Sequence, residues 1–211
     1  MAISLNKKTG INLKKGSSIK LEKQGKLLEH VCVGLNWGAI QRKALFGLIN
    51  TAEGVDLDGS VSLFDKDRNE IETVYYARLQ SNDRAINHSG DDRSGDVGAD
   101  DGFDNEVIEI DLRKINPEVE QIVFYLNSYN GQDFATIPFS KIRIFEGDKN
   151  RVDDVFATFN LSADPSFAGN VSMILGKLVR TQNNWKFETI GDAVSSKKIQ
   201  DTIPLIQSKY L

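Results

Sequence analysis

The chain reads as an all-β protein: a β-sandwich of mostly antiparallel strands with one long acidic loop and one or two short helices. Three observations predict this. Many short runs alternate apolar and polar residues, the two-residue period of a strand whose side chains leave on opposite faces. The joints between these runs are rich in Gly, Asn and Asp, the residues of tight turns. The runs also recur at near-regular spacing, which suits a sandwich or barrel better than a βαβ fold.

Taken in order, the opening carries three brief alternating pairs, Ile3/Leu5, Ile11/Leu13 and Ile19/Leu21, separated by Lys-Lys and Gly-Ser punctuation. An apolar strand follows at 31–37. Residues 41–54 include Arg42, Lys43, Ala44 and Leu45, which favour helix, but no period is sustained, so this stretch reads as a loop or a turn or two of helix. Residues 55–64 alternate cleanly, with Val55, Leu57, Val61 and Leu63 on one face. A turn over 65–69 leads to a strand at 71–77. Beyond the acidic loop, strands are expected at 107–112, 121–129, 142–145, 155–161, 171–180 and 185–190. One short helix is expected over 112–119, interrupted by Pro117. A second is expected over 195–200, with Pro204 marking a break.

A length of 211 residues allows one large β domain or two small ones. No linker interrupts the pattern, so a single domain over 1–211 is expected, with a C-terminal tail from about 192 that holds the short helix. The apolar share of 40% and charged share of 27% are those of a folded globular chain. The net charge of −4 gives no basic footprint for nucleic acid. That charge is unevenly spread. Lysines crowd the first 26 residues, with Glu22 the one acid there, whereas the stretch from Asp83 to Glu106 holds eight acids and two arginines. The single cysteine, Cys32, lies in an apolar run and reads as a small buried hydrophobe. The opening lacks the apolar core of a signal peptide, and no apolar run approaches the roughly 20 residues of a membrane span. A cytoplasmic location without direct membrane insertion is the expectation.

The stretch 88–106 is where chemistry concentrates. So many carboxylates in a glycine-interrupted loop repel one another unless they stay solvated or are neutralised by cations. Calcium takes about six to eight oxygen ligands in flexible geometry, whereas magnesium demands a stricter octahedron, so such a loop suits calcium better. Upstream, strand alternation puts Asp56 and Asp58 on the face opposite Val55 and Leu57, roughly 6.6 Å apart along the strand. That separation serves one cation jointly or two neighbouring ones. The run Asp65-Lys66-Asp67-Arg68-Asn69 matches the opening of an EF-hand, but Glu70 stands where that motif needs Gly and Tyr76 where it needs Glu, so it reads as a hairpin turn.

The opening ISLNKKTGINLKKG, the strand VCVGLNW, the aspartate strand VDLDGSVSLFD and the loop SGDDRSGDVGADDGFDNEVIEIDL, followed by FSKIRIFEG and NWKFETIGD, together resemble the TerD family of tellurite-resistance and stress proteins, within it the TerZ-like branch. The resemblance runs from Ile3 to about Gly191, and the loop combined with VDLD is its specific part. It implies a sandwich with two calcium ions bound between the aspartate strand and the loop. Asp56 and Asp58 match the family's paired aspartates. Asp91 and Asp92 occupy its Gly-Asp-Asn turn, with Asp92 in place of Asn. Asp104, Asn105 and Glu106 match its closing Asp-Asp-Glu, with Asn105 in place of Asp. Asp96, Asp100 and Asp101 complete the candidate ligands, in a stretch longer than is usual in the family.

The resemblance also implies a non-enzymatic role in which calcium orders the loop and supports assembly. The partners it implies are other tellurite-resistance and stress proteins, gathered at the inner face of the membrane around an integral-membrane partner. Two other functions are weighed against it. A metal-dependent hydrolase would need two ions roughly 3.5–4 Å apart, but only Arg84 and Arg93 flank the loop as a clamp. A calcium-dependent small-ligand binder would need exposed aromatics around the ion. No P-loop or dinucleotide fingerprint is present. His88 abuts the loop, but its oxygen-rich company argues for a hard cation over a transition metal. Direct tellurite reduction would want reactive thiols, which a buried Cys32 does not supply.

Overall fold

In a computed structural model, which describes residues 10–44, 49–98, 100–182 and 184–211, most of these runs are strands. They are β1 (Ile11–Asn12), β2 (Ser18–Lys20), β3 (Glu22–Lys23), β4 (Lys26–Leu27), β5 (His30–Trp37), β6 (Ile40–Ala44), β7 (Ile49–Glu53) and β8 (Leu57–Phe64). There follow β9 (Glu70–Val74), β10 (Ile86–His88), β11 (Glu106–Asp111), β12 (Gln121–Ser128), β13 (Phe139–Asp148), β14 (Arg151–Ser162), β15 (Ser172–Arg180) and β16 (Trp185–Val194). A single turn of 3-10 helix lies at Pro165–Phe167, and one α-helix, α1, covers Ile199–Lys209.

Two six-stranded sheets form the sandwich, ordered β1-β14-β13-β5-β11-β10 and β2-β16-β15-β12-β8-β9. All pairs are antiparallel except β1 with β14. Val31, Val33, Leu35 and Trp37 of β5 meet Leu57, Val61, Leu63 and Phe124 of the other sheet in one buried cluster. The alternation read in the sequence is what aims these residues inward. It leaves Cys32, Gly34 and Asn36 on the outer face of β5, and Asp58, Ser60 and Ser62 on the outer face of β8. The opening segment contributes β1 to one sheet and β2 to the other, with Leu13 and Leu21 buried.

Three expectations are corrected. Residues 41–54, read as loop or helical turns, are mostly the hairpin β6–β7, paired from Ile40↔Glu53 to Ala44↔Ile49; the pairing of backbones outweighs the weak helix preference of its side chains. Residues 112–119 form turns and not a helix, because Asp111, Asn116 and Asp83 side chains accept the backbone N–H groups of Arg113, Glu118 and Asn116. Pro204 does not end the C-terminal helix. It lies inside α1 on the exposed side, where water reaches the carbonyl that loses its partner, while Thr202 and Ile206 bury the other side. The helix lies on the outer face of β12 and its neighbours, where Ile206 packs among Phe64, Val123, Tyr125, Ile174 and Val194. The expected turn at 65–69 is a hairpin turn, in which Asp65 Oδ1 accepts the N–H groups of Asp67 and Asn69. The expected Ile3/Leu5 strand lies outside the described residues.

Candidate metal centre

The acidic loop is stitched to both sheets. Asp96 N–H donates to the Trp37 carbonyl and Ala39 N–H to the Asp96 carbonyl, both at 2.9 Å, which pins the loop to the end of β5. Val55 N–H donates to the Ser94 carbonyl, also at 2.9 Å, which holds the loop beside the approach to β8. Between the sheets stands Glu106, fully buried at the start of β11. One of its oxygens accepts Gly59 N–H on β8 at 2.9 Å and the other accepts Asp92 N–H at 3.3 Å. A Cβ at Gly59 would lie 2.1 Å from that carboxylate, so the bridge requires glycine there. His88 completes this buried joint. Its Nδ1 accepts Gly90 N–H, which leaves the proton on Nε2, 3.2 Å from the Gly59 carbonyl and 3.4 Å from Glu106. Both ring nitrogens are thereby engaged within the protein.

Two groups of carboxylates gather on this frame. Asp56, Asp58 and Asp91 each offer an oxygen within 4.8 Å of the others, and so do Asp96, Asp100 and Asp101. The two groups have no residue in common. In the first, Asp58 is only 8% exposed. Its carboxyl is pushed up to about 7, by burial first and then by Asp56, Glu106 and Asp91. Asp56 is raised as well, by burial and then by Asp91, and Arg93 at 4.0 Å offsets part of this. In the second group, Lys141 already neutralises Asp100 at 2.6 Å and, against the effect of burial, holds its carboxyl below the ordinary value.

The other four candidates lie outside both groups and build the loop. Asp92 Oδ1 accepts the N–H groups of Ser94 and Gly95, both at 2.9 Å, work that an Asn would do equally. Asn105 accepts Trp37 N–H at 2.7 Å and donates to Asp96 at 3.1 Å, and an Asp in its place could not make that second bond. Asp104 turns away to pair with Arg143 of β13 at 2.7 Å, packed so close over β5 that a Cβ at Gly34 would lie 2.0 Å from it. Burial raises its carboxyl against the pull of Arg143. Glu106 is the bridge between the sheets, also raised by burial against His88.

The donor set fits a hard cation. It is all oxygen, it crowds carboxylates around Asp58, and nearby acceptors remain unanswered. The Oδ1 atoms of Asn36 and Asp104 are buried without partners among the described residues, and Asn36 also bonds to Asp100 through Nδ2. Sequence reasoning missed Lys141 and Arg143, whose alternation with Ile142 and Ile144 on β13 was the available signal that they share a face.

The family model for the TerD domain matches residues 9–203. The chain belongs to the TerD domain family. Among its curated relatives, tellurium resistance protein TerZ of Serratia marcescens is 29% identical over 90% of this chain and 94% of its own length. Stress response protein SCP2 of Bacillus subtilis (strain 168) is 28% identical over 92% of this chain and 97% of its own. Tellurium resistance protein TerD of Serratia marcescens is also 28% identical, over 86% of this chain and 89% of its own. These near-equal identities do not single out a TerZ-like branch. The crystal structure of a telluride resistance protein (TerD) homologue from Streptomyces coelicolor A3(2) superimposes with a TM-score of 0.60 at 16% identity. It covers 85% of this chain and 95% of that one, which shows the shared sandwich. The TerD relatives are thus proteins named for tellurium resistance and stress response.

Proposed function

We propose that this TerD-family chain is a calcium-binding stress-response module without enzymatic activity, in which the ion ties the acidic loop to the aspartates at β8 and so presents an ordered surface for assembly. The observation that carries this reading is the group Asp56, Asp58 and Asp91, whose oxygens converge within 4.8 Å although two of the three residues are buried. Two buried carboxylates and an exposed third that crowd together, with Arg93 offsetting only part of the charge on Asp56, favour a bound cation over mutual repulsion. Asp56, Asp58 and Asp91 would hold one ion. Asp96, Asp100 and Asp101 would hold a second, more weakly, since Lys141 competes for Asp100. The ion would supply charge neutralisation and a cross-link between loop and strand. The partners proposed are other tellurite-resistance and stress proteins of the cytoplasm, gathered at the inner membrane face around a membrane-embedded partner.

The test is a calcium titration of metal-stripped protein with magnesium as control, read by heat of binding and by melting. Calcium at about 100 times its dissociation constant should stabilise by roughly 2.7 kcal/mol, a melting rise of about 5–11 °C for a domain of this size. Magnesium should do less, and Asp56→Asn with Asp58→Asn should abolish the tighter calcium-binding step. If neither ion moves the melt nor releases heat, the loop is a solvated charge run and the calcium reading fails.

A further inference from the structure

Asp58 also borders a cleft of about 700 Å³, which lies between the ends of β8 and β12 and the start of α1. A volume of this size suits a small molecule. Its floor includes Asn127, the cross-strand partner of Asp58 on β12, so the two side chains leave the sheet on the same face. Asn127 is only 3% exposed. Its Nδ2 donates to the hydroxyls of Ser172 and Thr202. Those hydroxyls donate onward to the carbonyls of Ser196 and Lys198, so neither has a proton to return and the orientation of the amide is fixed. Asn127 Oδ1 is left buried with no donor among the described residues, and a ligand hydroxyl that opened the cleft floor over it would satisfy it.

The far wall has the opposite character. Lys197 and Lys198 are exposed at the cleft, where the eleven-residue α1 begins without a side-chain cap. The N–H groups of Ile199 and Gln200 find no acceptor among the described residues. Two cationic side chains and an uncapped helix start favour an oxyanion, although Asp201 in the same turn offsets part of the field. Between the two ends stand Tyr76 and Tyr129, 38% and 65% exposed, whose rings offer faces to the carbon skeleton of a ligand.

We propose that this cleft binds a phosphate monoester of a polyol, such as a sugar phosphate. Its hydroxyls meet Asn127 Oδ1 and the Asp58 end, its carbon face rests on Tyr76 and Tyr129, and its phosphate is held by Lys197, Lys198 and the free N–H groups of α1. The charge on Asp58 sets this orientation, because a phosphate at that end would face a carboxylate. The lysine and asparagine contacts do not depend on calcium.

The experiment is calorimetry of the full chain with ribose 5-phosphate and glucose 6-phosphate, against ribose, glucose and inorganic phosphate, in chelator and again with calcium. At least one sugar phosphate should bind with a dissociation constant below about 1 mM, and at least about tenfold tighter than its sugar or inorganic phosphate. Lys197→Ala with Lys198→Ala should weaken binding by about tenfold, and Tyr129→Ala severalfold, with little change in melting because all three residues are exposed and Lys198 makes no side-chain cap bond. Binding that appears only with calcium overturns the assignment, because an ion at Asp58 would draw the phosphate to the acidic end and away from the lysines. The assignment is overturned if neither sugar phosphate binds in either condition, if inorganic phosphate binds as tightly, or if both variants bind like the parent. Heat from calcium alone, with none from sugar phosphates, sinks the cleft and leaves the calcium reading intact. The reverse pattern does the opposite.

Discussion

Replacing Asp58 by Asn should make the metal-free protein more stable while removing its tighter calcium-binding step. Asp58 is buried, and its carboxyl is raised from 3.8 to about 7 by burial, Asp56, Glu106 and Asp91. A carboxyl whose folded pKa is raised stabilises the protein while protonated, and that contribution drains away as pH climbs from 3.8 to about 7. At about 1.36 kcal/mol per pH unit, the loss comes to about 4 kcal/mol by pH 8. Asn has nearly the shape of Asp and no charge to bury, so it avoids this loss. In chelator at about pH 8 the variant should melt about 8–16 °C above the parent, and the gap should close toward pH 5. The carboxyls held low, such as Asp100 and Asp192, act in the acid range, and the raised Asp56, Asp104 and Glu106 shift parent and variant in the same direction. With calcium added the order narrows or reverses, because only the parent gains the tighter bound ion, and its calcium affinity should weaken as pH falls below about 7. The reasoning is refuted if the variant in chelator melts at or below the parent at pH 8, or if the parent melts equally at pH 5 and pH 8.

Other perturbations test the frame around the centre. Glu106→Ala leaves the Gly59 N–H unanswered inside the sandwich and frees the half-exposed Asp92 N–H, and should cost about 2–3 kcal/mol in urea unfolding; a loss near zero would contradict the bridge. Arg143→Ala leaves Asp104 buried and unpaired, at a cost of about 3–5 kcal/mol. Adding Asp104→Asn to that variant should recover part of the loss, and no recovery would mean that packing, not charge, holds the pair. Cys32 is buried, its thiol pushed up to about 12 mainly by burial, so a thiol reagent should label it only as fast as the protein unfolds. Prompt labelling of native protein would show an open path to the outer face of β5.

Legibility from the sequence followed the strength of the local signal. Strands with one buried face, such as the run from Leu57 to Phe64, announced themselves through alternation. The β6–β7 hairpin carries Gln41 and Arg42 on an exposed ribbon and has no such period, so its pairing is decided by backbone bonds that composition does not reveal. Pro204 misled because a proline is read as a stop, whereas the packing of Ile206 and Thr202 beneath it holds the helix together. In the site, alternation located Asp56 and Asp58, but it could not divide the loop's acids between display and construction. Asp91 and Asp92 are neighbours, yet one joins the cluster and the other folds the turn. Asp104 spends its charge on an arginine 39 residues away, a pairing that only the juxtaposition of β5 and β13 creates.

The position of α1 has a further consequence, for how the protein is made. Every strand of both sheets precedes the helix in the chain, so on the ribosome the sandwich is complete in sequence before Ile199 has been added. Until α1 docks, Phe64, Val123, Tyr125 and Ile174 form a bare oily stripe on the outside of a folded sheet. A chain stalled or clipped at this point would keep its strands and its acidic loop, yet would be prone to stick to other nascent copies. Lys177 and Asp192, which fasten Tyr210 once the helix is down, act as the latch that ends this vulnerable interval.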